Sequence, residues 1–183
     1  MKNLSLSKAI RVLIVMVGCT CAAKIGRAEE FLPFSQSSLQ AVIVPVAEAR
    51  KLDFLSRQYK TCDFWLPAAD QLTKVEAVLP SFLGAESKTA KTPRFRRSLA
   101  TIRERLPSYR RQYIGLITKE GKKQILINCF PAAPSEGFDP CADWKSTVIG
   151  VLDGGIDFWQ AIFDLDSESF RKLSINTVGD LEK

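Results

Sequence analysis

The stretch YRRQYIGLITKEGKKQILINCF, residues Tyr109–Phe130, decides the fold class. Tyr109–Thr118 and Lys123–Phe130 are strand-like runs, rich in β-branched and aromatic residues. Lys119-Glu120-Gly121-Lys122 joins them, so the pair predicts a β-hairpin.

Upstream of this hairpin the apolar spacing is mostly helical. Ala41–Val44 is a short run that predicts a strand, and Val46–Tyr59 follows as a helix with Ala49, Leu52, Leu55 and Tyr59 near one face. Thr61–Leu66 reads as a connection. Pro67 suits the first position of a second helix, on which Leu72, Val75, Leu79 and Phe82 recur at helical spacing. A proline in a helix interior costs about 3 kcal/mol. A kink or stop is therefore expected near Leu79, before Pro80, with Gly84 ending the element. Ala85–Thr92 reads as a polar, mobile connection. Pro93 opens a third helix with Phe95, Leu99, Ile102 and Leu106 as its stripe, and Pro107 lies beyond its end.

Downstream the pattern is strands. Thr147–Leu152 and Ile156–Phe163 flank Asp153-Gly154-Gly155, a turn signal because glycine reaches positive φ without penalty. Phe170–Asn176 predicts a last strand. Helices followed by antiparallel strands mean an α+β fold. The expectation is N-terminal helices packed on one face of a curved antiparallel sheet of about five strands.

The N-terminus reads as a signal for export. Lys2, Lys8 and Arg11 precede an apolar run, Val12–Ala23, too short to span a bilayer. Gly26-Arg27-Ala28 is a small-x-small cleavage site and Ala23 is a second candidate. Met16-Val17-Gly18-Cys19 is the rival, a lipobox-like site that would lipidate Cys19. The domain division is a signal peptide over 1–28 and one α+β domain over 29–183, its compact part about 40–179. Exported and periplasmic is the expected location, with a membrane-anchored lipoprotein as the alternative.

Removing the signal changes the charge. The chain has 26 basic and 20 acidic residues. Five of the basic ones precede Glu29, so cleavage at Ala28 leaves 21 against 20, a net charge of +1. The high isoelectric point is therefore no argument for nucleic acid, and no nucleic-acid partner is expected. Export permits disulfides. Cys129 and Cys141, flanking the loop with Pro131, Pro134 and Pro140, are the preferred pair, which leaves Cys62 over.

Several stretches together resemble a family of small exported bacterial proteins of unknown function. They are Trp65-Leu66-Pro67 before a helix carrying Glu76 and Leu79, then Tyr109–Gly115 and Ile127-Asn128. Asp153-Gly154-Gly155, Phe158-Trp159, Phe163-Asp164 and Leu173-Ser174-Ile175-Asn176 complete the pattern. The likeness covers roughly Cys62 to Gly179 and implies no activity, cofactor or catalytic residue.

The chain has no histidine, which excludes Ser–His–Asp and Cys–His catalysis. No phosphate-binding loop or dinucleotide fingerprint occurs. No catalytic residue, metal or cofactor is assigned. Asp164-x-Asp166-x-Glu168 starts like a calcium loop but lacks the glycine and most further ligands.

Charge is segregated. Twelve lysines and arginines lie between Lys88 and Lys123, against Glu104 and Glu120. Phe130–Lys183 holds ten acidic residues against Lys145, Arg171, Lys172 and Lys183. Arg96, Arg97, Arg103 and Arg110 are the candidate binding residues, forming a basic patch toward an anionic envelope component or a protein partner. Contact with a membrane is expected only through lipidation at Cys19. The favoured reading is a non-enzymatic binding or interaction module of the cell envelope. One alternative is a carboxylate-dependent hydrolase acting on glycan, with Asp153 and Asp157 as its pair. The other is an inhibitor or immunity-type protein that binds a basic enzyme.

Overall fold

The computed structural model describes residues 30–36, 38–132, 137–151, 154–176 and 179–182. The segment expected to be a signal, Cys19 and Asp153 lie outside the described residues. The elements run β1 (Leu32–Phe34), β2 (Ala41–Ile43), α1 (Val46–Arg50), α2 (Asp53–Tyr59), β3 (Thr61–Trp65), α3 (Ala69–Thr89) and α4 (Pro93–Glu104). The second half is β4 (Tyr109–Thr118), β5 (Lys123–Pro131), β6 (Trp159–Asp164), β7 (Ser169–Ile175) and β8 (Gly179–Glu182). The fold is α+β. The eight strands among the described residues form one unclosed sheet, in the order β1-β2-β4-β5-β6-β7-β8, with β3 paired to β4.

The predicted hairpin is the centre of this sheet. β4 and β5 pair from Tyr109↔Pro131 to Ile117↔Lys123. The far edge of β4 carries two partners end to end: β2 in parallel along Arg111–Tyr113 and β3 antiparallel along Gly115–Thr118. β4 is therefore covered on both edges and both faces, and its residues from Tyr109 to Leu116 are all buried.

The sheet has more strands than expected, and for a physical reason. β1 and β8 are short, and Thr61–Leu66, read as a connection, contains β3. Strands of three to five residues are too short to show a period. Gly115 admits β3: a Cβ there would lie 2.1 Å from the Trp65 carbonyl oxygen.

The first expected helix is two, α1 and α2, broken at Leu52 (φ −102°, ψ 78°). The second does not stop at Leu79 but runs through Pro80 to Thr89. Leu72, Val75, Leu79 and Leu83 are all fully buried along it. At about 1.5–3 kcal/mol for each buried side chain, their packing outweighs the proline. Gly84 does not end α3; the Arg103 guanidinium of α4 lies 3.4 Å from where its Cβ would be. α4 starts as expected, with Thr92 Oγ1 accepting from the Phe95 N–H at 3.2 Å.

Two apolar clusters lie on opposite faces of the sheet, because adjacent strand residues alternate between them. One joins Leu72, Leu79, Leu83, Leu99 and Ile102 of α3 and α4 to Tyr113, Ile125, Ile127 and Phe163. The other joins Ala49 of α1 and Leu55 of α2 to Ile114, Leu116, Leu126 and Ile162. Helices therefore cover both faces, not one.

Three further expectations are corrected. Thr147–Leu152 is no strand over its described residues; the backbone there bonds to side chains of the sheet, as set out below. Gly154 and Gly155 lead into a 3-10 turn at Gly155–Asp157, not a hairpin. The Cys129–Cys141 disulfide is absent, and Cys62, Cys129 and Cys141 are all free. Cys129 belongs to the cluster under α3 and α4, whereas Cys141 packs with Phe130 and Trp144 on the other face, so the sheet separates them. Burial pushes both thiols up from their ordinary pKa.

Candidate functional site

A groove of about 640 Å³ lies on the α1–α2 side of the sheet. Three pieces of chain frame it. The end of α2 supplies Gln58, Tyr59 and Lys60; the β4–β5 turn supplies Lys119, Glu120 and Lys122; β6 and β7 supply Ile162, Asp164, Arg171 and Lys172. Five cations therefore face two carboxylates.

Each wall is fixed by local structure. Lys60 adopts the left-handed conformation that ends α2 (φ 52°, ψ 33°). In the hairpin the Thr118 N–H donates to the Lys122 carbonyl at 2.9 Å, and Gly121 takes φ 78°. Strand register then brings distant residues together, with Gln124 opposite Asp164 and Ile162 opposite Lys172.

Asp164 serves the turn after β6. Its Oδ1 accepts from the Ser167 N–H and hydroxyl, both at 3.0 Å. Burial alone would raise this carboxyl; the bonds from Ser167 and Gln124 and the charge of Arg171 at 3.7 Å hold it below its ordinary pKa. The Thr118 hydroxyl and its own backbone N–H likewise lower Glu120.

A chain of amides runs from the groove across the same face. The Tyr59 hydroxyl donates to Gln160 Oε1. Gln160 Nε2 donates to Asn128 Oδ1 at 3.0 Å, and Asn128 Nδ2 to Gln112 Oε1 at 3.1 Å. Gln112 Nε2 then donates to the carbonyls of Trp144 and Thr147 at 2.6 and 2.7 Å. Ile149 closes the set, its N–H donating to Gln112 Oε1 at 2.9 Å and its carbonyl accepting from Asn128 Nδ2 at 2.7 Å. These side chains take the place of a neighbouring strand, which is why Thr147–Val151 forms none.

The expected basic patch comes apart at Arg110. That side chain is 3% exposed, and it donates to both oxygens of Asp139 at 2.8 and 2.9 Å. Its guanidinium lies over the rings of Phe130 and Trp144, on the sheet face away from α4. Alternation along β4 sends it there. Arg96, Arg97 and Arg103 do share an exposed region of α4.

Of the two carboxylates expected for glycan hydrolysis, Asp153 lies outside the described residues. Asp157 is ion-paired with Arg105 at 3.0 Å. Of the calcium-like segment, Asp166 and Glu168 are exposed and Glu168 pairs with Lys74. Among the described residues no three metal-ligating side chains cluster, and no helix is long and apolar enough to cross a membrane.

The groove was missed because its cations are scattered. Lys119 and Lys122 look like ordinary hairpin-tip residues, and Arg171 and Lys172 sit within the acidic half of the chain. The available signal was parity: Gln124, Ile162 and Lys172 fall on one face once β5, β6 and β7 are paired.

No protein-family model, curated protein or solved structure matches this chain. Its function is therefore argued from geometry alone.

Proposed function

We propose that this chain is an exported, non-enzymatic binding module of the bacterial cell envelope, and that it takes an anionic ligand in the groove between α2, the β4–β5 turn and β6–β7. One observation carries the reading: five cations line the groove, and the two carboxylates among them are engaged by neighbouring groups. Lys60, Lys119 and Lys122 enter none of the ion pairs found among the described residues. A concave surface walled by one sign of charge concentrates the opposite one. The amide chain behind Tyr59 and the apolar cluster that includes Leu55, Leu126 and Ile162 hold that wall in place.

The test is titration calorimetry with a uronate oligosaccharide and a polyphosphate as probes. At least one probe is expected to bind, with affinity that falls steeply as salt rises. Changing Lys60, Lys119 and Lys122 together to Ala is expected to weaken it about tenfold or more. Affinity unchanged in that variant, or no binding of either probe at low salt, would overturn the reading.

A further inference from the structure

We propose that the outer surface of the α3–α4 hairpin docks on an anionic lipid bilayer, which leaves the groove facing away from the membrane. Lys88 and Lys91 at the α3–α4 junction and Arg96, Arg97 and Arg103 on α4 are all exposed. Among the described residues, Arg50, Lys51, Lys74, Arg105, Arg110, Arg111 and Arg171 are spent in ion pairs. None of the five on this surface is among them. The one acidic residue of α4 is Glu104.

Their placement works against the local structure. The first turn of α4 contains no acidic residue, and Arg94, Arg96 and Arg97 cluster at that end. A helix N-terminus carries partial positive charge, so cations there oppose the fold. An external anionic layer removes that penalty. Two of the guanidinium groups are already held: Arg96 donates to the Ala90 carbonyl at 3.1 Å, and Arg103 lies against Gly84. Less freedom is then lost when they meet phosphate, whose geometry the guanidinium fork matches.

A bilayer fits this surface better than an acidic protein does. Protein interfaces draw their affinity from buried aromatic and aliphatic anchors. Among the described residues the exposed large apolar side chains are Leu32, Phe54, Leu66, Val78, Phe138 and Val151, and all lie outside 88–105. A surface with cations and no anchor binds by field and headgroup contact, lying on the membrane rather than inserting.

The docked orientation follows from the sheet. Phe95, Leu99 and Ile102 of α4 pack on one face, whereas the groove residue Ile162 belongs to the cluster on the other. A molecule resting on α4 presents the groove to the aqueous side.

The experiment is vesicle co-sedimentation with the protein purified from its own host. Vesicles are 30% phosphatidylglycerol in phosphatidylcholine, or phosphatidylcholine alone. Binding is expected to the anionic vesicles only and to be lost in high salt. Changing Lys91, Arg96, Arg97 and Arg103 together to Ala is expected to weaken it at least tenfold, while probe binding in the groove is retained. Three results would overturn the proposal: equal binding to neutral vesicles, full binding by the four-residue variant, or binding to polyglutamate as tight as to the vesicles. Loss of groove binding in the Lys60, Lys119, Lys122 variant with vesicle binding intact separates this surface from the groove.

Discussion

Arg110 and Arg111 are neighbours in the chain, and each is buried against a different face of the sheet. Arg111 lies under α3, its Nε 3.0 Å from Glu76 Oε1, with the Tyr113 hydroxyl donating to the same oxygen at 2.7 Å. It also donates to the carbonyls of Tyr109 and Leu106 at 2.8 and 3.1 Å. Arg110, on the other face, holds the irregular segment after β5 through Asp139. The first face is sealed by two long helices whose leucines do the packing. The second is sealed by two short helices and a segment whose backbone is satisfied by amide side chains. Where regular elements supply shape, the sheet contributes apolar surface; where they do not, it contributes hydrogen bonds. The second face is also the one left with a groove.

The largest effect is expected on the helix-covered face. Glu76→Leu strands the Arg111 charge in the core and should cost about 3–5 kcal/mol, read as a lower urea midpoint. Replacing both partners, Glu76→Leu with Arg111→Met, should recover most of the loss. Equal losses in the single and double variants would break the account of this cluster as an ion pair.

The second face should respond more locally. Gln112→Leu leaves the Trp144 and Thr147 carbonyls and the Ile149 N–H without partners, at a cost of about 1–3 kcal/mol for each group that water does not reach. Hydrogen exchange should speed up at Ile149 and between Cys141 and Thr147, while the amides of α3 keep their protection. Uniform acceleration through both regions would mean that the faces do not behave as separate units.

The smallest effect is a pH dependence confined to the same face. Hydrogen bonds from Arg110 hold Asp139 below its ordinary carboxylate pKa, against the opposing pull of burial. A group depressed in the folded state stabilises it above the unfolded pKa, about 3.9. That contribution is lost as pH falls through the lower folded value. Thermal melts between pH 5 and 2 should therefore drop less steeply for Asp139→Asn than for the parent chain. Parallel curves would remove Asp139 from the acid response.

Much of the architecture was legible where a period is long enough to read. The β4–β5 hairpin, α4 with its Pro93 start, and the last expected strand, found as β7, all carry their own local signals. Pro80 misled because its cost is local, whereas the burial that overrides it depends on what α3 packs against. Thr147–Leu152 misled because its apolar residues suit a strand, yet the backbone partners of Thr147 and Ile149 are the side chains of Gln112 and Asn128, about 20 to 40 positions earlier. Of the candidate binding residues, Arg96, Arg97 and Arg103 lie in one exposed region and Arg110 does not.

The sequence by itself determined the class, α+β, and its central antiparallel hairpin. These follow from periodicity and turn chemistry, which act over a few residues. It also determined that Arg110 and Arg111 must point opposite ways, since strand side chains alternate. Only the tertiary structure decided which acid each arginine meets, that Cys129 and Cys141 lie on opposite sides of the sheet, and that Lys60, Lys119 and Lys172 border one groove. Those outcomes depend on strand order and register, which are settled by burial summed over the whole sheet and leave no trace in any short window of the chain.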